Sequence, residues 1–177
     1  MDRKQKSILA LGAVAIGTAL YNALKPIKSN VNVVEPFDLN KYLGKWYEIA
    51  RMPVRFEKNL SKVHAEYDLN EDGFVHVKNV GYSKEKQKWS KAIGNAKFAR
   101  NENQGALKVS FFGPFYAGYN IVRIDKNYQY ALVFGDNLDY LWILARETSI
   151  PSKIEEEYLD YARKSGYDID KLIWTKH

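Results

Sequence analysis

From Gly44 onward the chain alternates apolar and polar positions in short runs, and turn-forming residues end most of the runs. Alternation with period two sends successive side chains to opposite faces of an extended strand. The stretch around Trp46 is the first such run, and a loop from Met52 to Ser61 follows it. Val63–Leu69, Phe74–Tyr82, Trp89–Phe98, Leu107–Phe112, Tyr119–Asp125, Tyr128–Phe134 and Tyr140–Arg146 are the others. Asn70-Glu71-Asp72-Gly73, the polar loop around Asn101, Asn103 and Gly105, Gly113-Pro114, Lys126-Asn127 and Gly135-Asp136-Asn137 separate several of them, with residues suited to tight reversals. Eight short strands in this arrangement predict an all-β protein: an eight-stranded antiparallel up-and-down barrel with room for one small ligand.

Two helical signals flank the strands. Asn40-Lys41-Tyr42-Leu43 reads as a short turn of helix running into Gly44. Near the C-terminus, Ser152-Lys153-Ile154-Glu155 has the form of a capping box. Ile154, Tyr158 and Tyr161 or Ala162 share one face of the helix that follows, and Gly166 is its expected stop. A helix with one apolar stripe is expected to pack outside the barrel, over Tyr47 and Ile49. A last strand at Leu172–Trp174 would extend the sheet.

The N-terminal part differs in kind. Residues 2–6 are polar and basic, and Ile8 to Leu24 is apolar apart from Thr18, Tyr21 and Asn22. This pattern reads as a secretory signal or a retained membrane anchor. As a helix the run would be about 25 Å long, slightly under a hydrocarbon core of about 30 Å. Gly17-Thr18-Ala19 is an acceptable cleavage site, so both readings stay open. The expected division is 1–24 signal or anchor, 25–36 linker and 37–177 barrel domain.

Charge changes the picture less than its total suggests. The 177 residues carry a net +6, but residues 1–30 hold Arg3, Lys4, Lys6, Lys25 and Lys28 against Asp2 alone. Residues 31–177 are left with +2, which does not point to a nucleic-acid partner. There is no Cys, which excludes disulfides, thiolate metal sites and a Cys nucleophile. Tyr is abundant, at 13 residues; its ring suits strands and its hydroxyl can stay hydrated.

Three separated segments resemble the motifs of the lipocalin family. Gly44-Lys45-Trp46 matches the Gly-x-Trp motif, and Asp125-Lys126-Asn127-Tyr128 matches the second motif with Ile124 in place of its Thr. Arg146, closing Trp142-Ile143-Leu144-Ala145-Arg146, matches the third. The resemblance implies that the Arg146 guanidinium lies across the Trp46 indole at the closed end of the barrel. Lys41 to Arg51 is similar to the bacterial lipocalins and to apolipoprotein D. Lys108 to Tyr116, Gly118-Tyr119-Asn120 and Asp139 to Leu144 resemble the bacterial outer-membrane lipoprotein branch. That branch carries an acylated Cys, absent here, so an N-terminal signal-anchor helix is the expected substitute.

The resemblance sets Ala65 inward, and alternation then selects the cavity wall. It comprises Ala65 and Tyr67 with Val63, Val77 and Asn79 with Val75, Val109 and Phe111, Tyr119 with Ile121, Val133 with Ala131, and Tyr140 and Trp142 with Leu144. Val54 and Phe56 would sit at the mouth. Such a wall suits an acyl chain, with Asn79, Tyr67, Tyr119 and Tyr140 as polar points nearer the opening. Arg51, Arg55 and Lys58 form the expected rim, either solvated or attracting a lipid head group. Gly113-Pro114-Phe115-Tyr116 exposes two aromatics on a turn, toward a partner or membrane or folded back on the barrel.

The implied function is non-catalytic binding, storage or transport of fatty acids or lysophospholipids in the cell envelope, with no cofactor or metal. Partners are then a small hydrophobic ligand and, through a retained N-terminal segment, a membrane; a homodimer stays open. A pigment or haem carrier is an alternative, set back by the lack of an inward His. A lipocalin-fold enzyme is another. His64 and His76 are expected to face outward and His177 is the terminus, so only a carboxylate such as Glu48 is left inside the barrel.

Overall fold

A computed structural model describes residues 31–54 and 59–177. The expected N-terminal signal or anchor, residues 25–30 of the linker, and Arg55, Phe56 and Lys58 lie outside the described residues. Helix α1 (Leu39–Tyr42) leads into strand β1 (Gly44–Arg51). Then come β2 (Leu60–Leu69), β3 (Val75–Ser83), β4 (Lys88–Phe98), β5 (Ala106–Phe112), β6 (Phe115–Ile124), β7 (Tyr130–Phe134) and β8 (Leu141–Ala145). Helix α2 (Ser152–Lys164), a 3-10 turn (Ile169–Lys171) and β9 (Ile173–Trp174) complete the chain. Consecutive strands pair antiparallel from β1 to β8, and β8 pairs back onto β1, so eight strands close a barrel. Among the described residues, no helix is long and apolar enough to cross a membrane.

Alternation divides the apolar residues between two cores. Along β8, Leu141, Ile143 and Ala145 face α2, while Trp142 and Leu144 face the barrel interior. Along β7, Leu132 and Phe134 face the helix, and Ala131 and Val133 the interior. Tyr158 and Ala162 supply the buried face of α2. The Tyr158 hydroxyl donates to the Tyr130 carbonyl at 2.9 Å, and Phe134 packs against Tyr167 with ring centroids 4.4 Å apart.

Two local expectations are corrected. The N-cap of α2 is Pro151, whose carbonyl accepts from the Ile154 and Glu155 amides; Ser152 is already helical and makes no capping box. Helix α2 covers Ile49 but not Tyr47, which instead packs edge-on against His177, with centroids 5.6 Å apart. A bulge between Glu48 and Ala50 puts both Ile49 and Ala50 in the layer under the helix.

The closed end is built around Trp46. Gly44 holds φ +93°, a left-handed conformation that favours glycine, and turns α1 into β1. The Tyr42 ring stacks on Trp46 at 4.9 Å, and the Trp46 indole N–H donates to the Tyr42 carbonyl at 2.7 Å. The Arg146 guanidinium lies 3.9 Å from the indole ring centroid. In the second motif segment the Asp125 carboxylate accepts from the Asn127, Gln129 and Tyr130 amides. Asp125 thereby organises the turn by itself, with Ile124 in the motif's Thr position. Antiparallel order puts the β3–β4, β5–β6 and β7–β8 turns at the other end.

Candidate functional site

The inner core has two zones. Near the closed end Phe37, Tyr42, Trp46 and Tyr67 are buried. Higher up, Val109, Phe111, Tyr119 and Trp142 pack against that core yet remain partly exposed. Register extends the same face: Asn79 pairs with Ala65 and Ala92, and Ala117 with Val109. Ala92 and Ala117 share this inward face and are nonetheless exposed. Solvent thus reaches inward-facing side chains toward the β3–β4 and β5–β6 end, the face where a ligand would meet the barrel interior.

Most of the expected wall residues meet here. Ala65, Tyr67, Val77 and Val133 are buried members of the inner core, and Val109, Phe111, Tyr119 and Trp142 line its more accessible part. Asn79 is partly exposed on the same face, and Tyr140, just before β8, stacks on Trp142 at 6.1 Å. Val54 is buried, and Phe56 lies outside the described residues.

The tyrosines do not all serve as polar points near the opening. The Tyr119 hydroxyl is 2.6 Å from that of Tyr42 and 2.8 Å from that of Tyr67, so three phenols meet at the cavity floor. Burial pushes Tyr42 and Tyr119 well above the usual phenol range, and the neighbouring phenols raise Tyr119 further. The cluster is therefore neutral at ordinary pH. Tyr119 bridges the other two, so two of the three hydroxyl protons are bound within the cluster before an apolar ligand end reaches the floor. The accessible polar groups on the upper wall are Asn79 and Tyr140.

Arg51 is a clear correction. It is 1% exposed rather than part of a solvated rim, and its guanidinium meets Glu48, 3% exposed, at 2.6 Å. Cross-strand pairing places Glu48 opposite Leu144 and Arg51 opposite Trp142, both inner-core residues. The Thr175 hydroxyl donates to the Glu48 carboxylate, and the His177 Nε2 donates to the Glu48 carbonyl at 2.8 Å. The sequence signal was an i, i+3 acid–base pair on a strand, which strict alternation would have placed on opposite faces; the bulge brings the two charges together.

His64 points to Glu66 on the outer wall at 3.4 Å, and His76 pairs with Asp68 and Asn95 on the same outer face. Among the described residues, no group of three or more His, Asp or Glu could hold a metal. A separate cleft of about 530 Å³ opens on the outside, between Asn59, Leu60, Ser61, Lys84, Glu85, Trp174 and Lys176. It shares none of the inner-core residues.

A lipocalin-like domain model matches residues 37–177. The chain is 48% identical to the outer membrane lipoprotein Blc of Citrobacter freundii over 146 residues, 82% of each protein. It is 35% identical to temperature-induced lipocalin-1 of Arabidopsis thaliana, covering 84% of this chain and 83% of that one. Apolipoprotein D of Mus musculus is 34% identical, covering 81% and 78%. Among solved structures, insecticyanin from the tobacco hornworm Manduca sexta superposes with a TM-score of 0.69 at 20% identity, covering 84% and 85%.

Proposed function

This chain belongs to the lipocalin family, and from that premise we propose that it binds single-chain lipids, fatty acids or lysophospholipids, as a non-catalytic carrier in the cell envelope. One observation carries the reading: Trp142, Phe111, Val109 and Tyr119 form an apolar, solvent-reachable wall above a floor of hydrogen-bonded phenols. A buried acyl chain gains about 0.8 kcal/mol per methylene, so ten methylenes offer roughly 8 kcal/mol before ordering costs are subtracted. With the floor indifferent to a methyl end, the polar head is favoured near Asn79, Tyr140 and the mouth.

The envelope assignment draws on the basic and apolar residues 2–24, a signal or anchor in this reading, and on the relatives named as outer membrane lipoproteins. Residues 37–177 form the carrier domain, and 25–36 tether it. The test is titration of the protein with oleate and with lysophosphatidylcholine, following tryptophan fluorescence. Saturable change in the micromolar range or tighter is expected. Trp142→Ala should weaken binding about tenfold or more with little change in melting, since an aromatic wall contact is worth on the order of 1.5 kcal/mol. Equal binding by variant and parent would remove Trp142 from the site, and no response to either lipid would overturn the carrier reading.

A further inference from the structure

We infer that the open rim of the barrel on its β3–β6 side is a docking surface for an anionic phospholipid bilayer. Large apolar side chains are exposed in this sector. Phe112 is 82% exposed and Phe115 48%, and they pair across the tight turn between β5 and β6. Trp89 is 52% exposed where β4 leaves the rim, with its ring edge-on to Tyr82 at 5.5 Å, and Ile93 is 60% exposed two turns of alternation along. Helix α2 covers β7, β8 and β1, whereas the outer face of β3–β5 has no covering element among the described residues.

The rim is also basic. Residues 82–93, the half of the β3–β4 hairpin toward the rim, carry Lys84, Lys86, Lys88 and Lys91 against Glu85, a net +3. Residues 31–177 total +2, so the rest of the domain is −1 and the tip of this hairpin makes it basic. Cations and a ring meet on the outer wall below the β5–β6 turn: the Lys97 and Lys108 ammonium groups lie 5.1 and 5.6 Å from the Tyr116 ring centroid.

Exposed Trp and Phe among lysines match the layered chemistry of a lipid surface, where rings enter the head-group zone and ammonium groups meet phosphates. A second copy of the chain fits poorly, because a two-fold contact would set this basic face against itself. Nucleic acid would leave Phe112, Phe115 and Ile93 unused. Docking turns the cavity mouth toward the bilayer, so a lipid could pass between the two without crossing bulk water. That last consequence rests on the proposed carrier function; the docking itself does not.

The chain has no cysteine, so Phe112→Cys in the full-length protein accepts one environment-sensitive fluorophore at the rim, and Asn127→Cys accepts one at the closed end as a control. Each labelled protein is mixed with vesicles of phosphatidylcholine, with or without phosphatidylglycerol. The rim label should shift to the blue on the anionic vesicles, lose the shift in high salt, and leave the control unchanged. K84Q/K86Q/K88Q, which touches only exposed lysines, should weaken apparent partitioning on the order of a hundredfold at low salt. No rim shift, an equal shift at Asn127, or a shift indifferent to lipid charge or to the triple variant would overturn the proposal. A shift that grows with protein concentration without vesicles would do so too, and would point to self-association. Oleate uptake by a protein whose rim label stays silent would leave the carrier reading standing without the docking surface.

Discussion

Arg146 shows how much one side chain holds at the closed end. Its Nη1 donates to the Lys45 carbonyl at 2.8 Å, its Nη2 to the Lys41 and Leu43 carbonyls at 2.8 and 2.9 Å, and its Nε to the Tyr128 carbonyl at 3.2 Å. Several of these carbonyls end α1, where the helix has no further amide to offer them. A planar, five-donor fork over an indole does this, and a point-charge ammonium cannot. Arg146→Lys should therefore cost about 2 kcal/mol of stability, read as a lowered urea midpoint with an unchanged slope. An equal midpoint would mean that the grip contributes nothing net. The residue itself was legible from its motif; the carbonyls it serves were not, because main-chain acceptors leave no mark in a sequence.

At the scale of elements, the seam between β1 and β2 is the least ordinary part of the wall. The two strands pair from Gly44 to Tyr47 and then part, and β9 takes the vacated edge opposite Ala50 and Arg51. The Lys62 amide donates to the Lys176 carbonyl at 2.7 Å, tying β2 to the same terminal segment. This segment also supplies the Thr175 and His177 contacts to Glu48. Ending the chain at Leu172 should lower stability by about 2–4 kcal/mol, because a buried ion pair loses a hydrogen-bond partner and a strand edge opens. Denaturant unfolding of the shortened chain measures this, and an unchanged midpoint would show the seam to be idle. The strands were readable from alternation, but β6 begins at Phe115 rather than Tyr119 because Ala117 and Gly118 interrupt the apolar pattern. The Gly118 amide finds its partner in the Asp136 carboxylate, 18 residues away. Arg51 was misplaced for a related reason: Thr175, which also accepts from it, is distant in the chain, and the bulge that joins it to Glu48 has no signature in hydropathy.

For the whole molecule, buried phenols tie stability to alkaline pH. Burial raises Tyr42, Tyr119, Tyr158 and Tyr167 above the ordinary phenol value near 10. A raised phenol keeps its proton in the fold when the unfolded chain has already released it. The stabilisation is complete below pH of about 10 and is lost as pH rises above it, by about 1.4 kcal/mol per pH unit for each such tyrosine. Melting temperatures at increasing pH should fall steeply from that point, and Tyr42→Phe should flatten the fall. A flat profile for the parent protein would place these phenols in contact with water.

Protection of the wall is uneven. Strands β7, β8 and β1 are packed on both sides, by the inner core and by α2, whereas β3 to β5 are packed on one side only. The barrel is thus a cup with a stiff back and a pliant front. Cargo of differing girth would be accommodated by yielding of the lysine-rich front, while Trp142, on the stiff back, keeps its place whatever the cup holds.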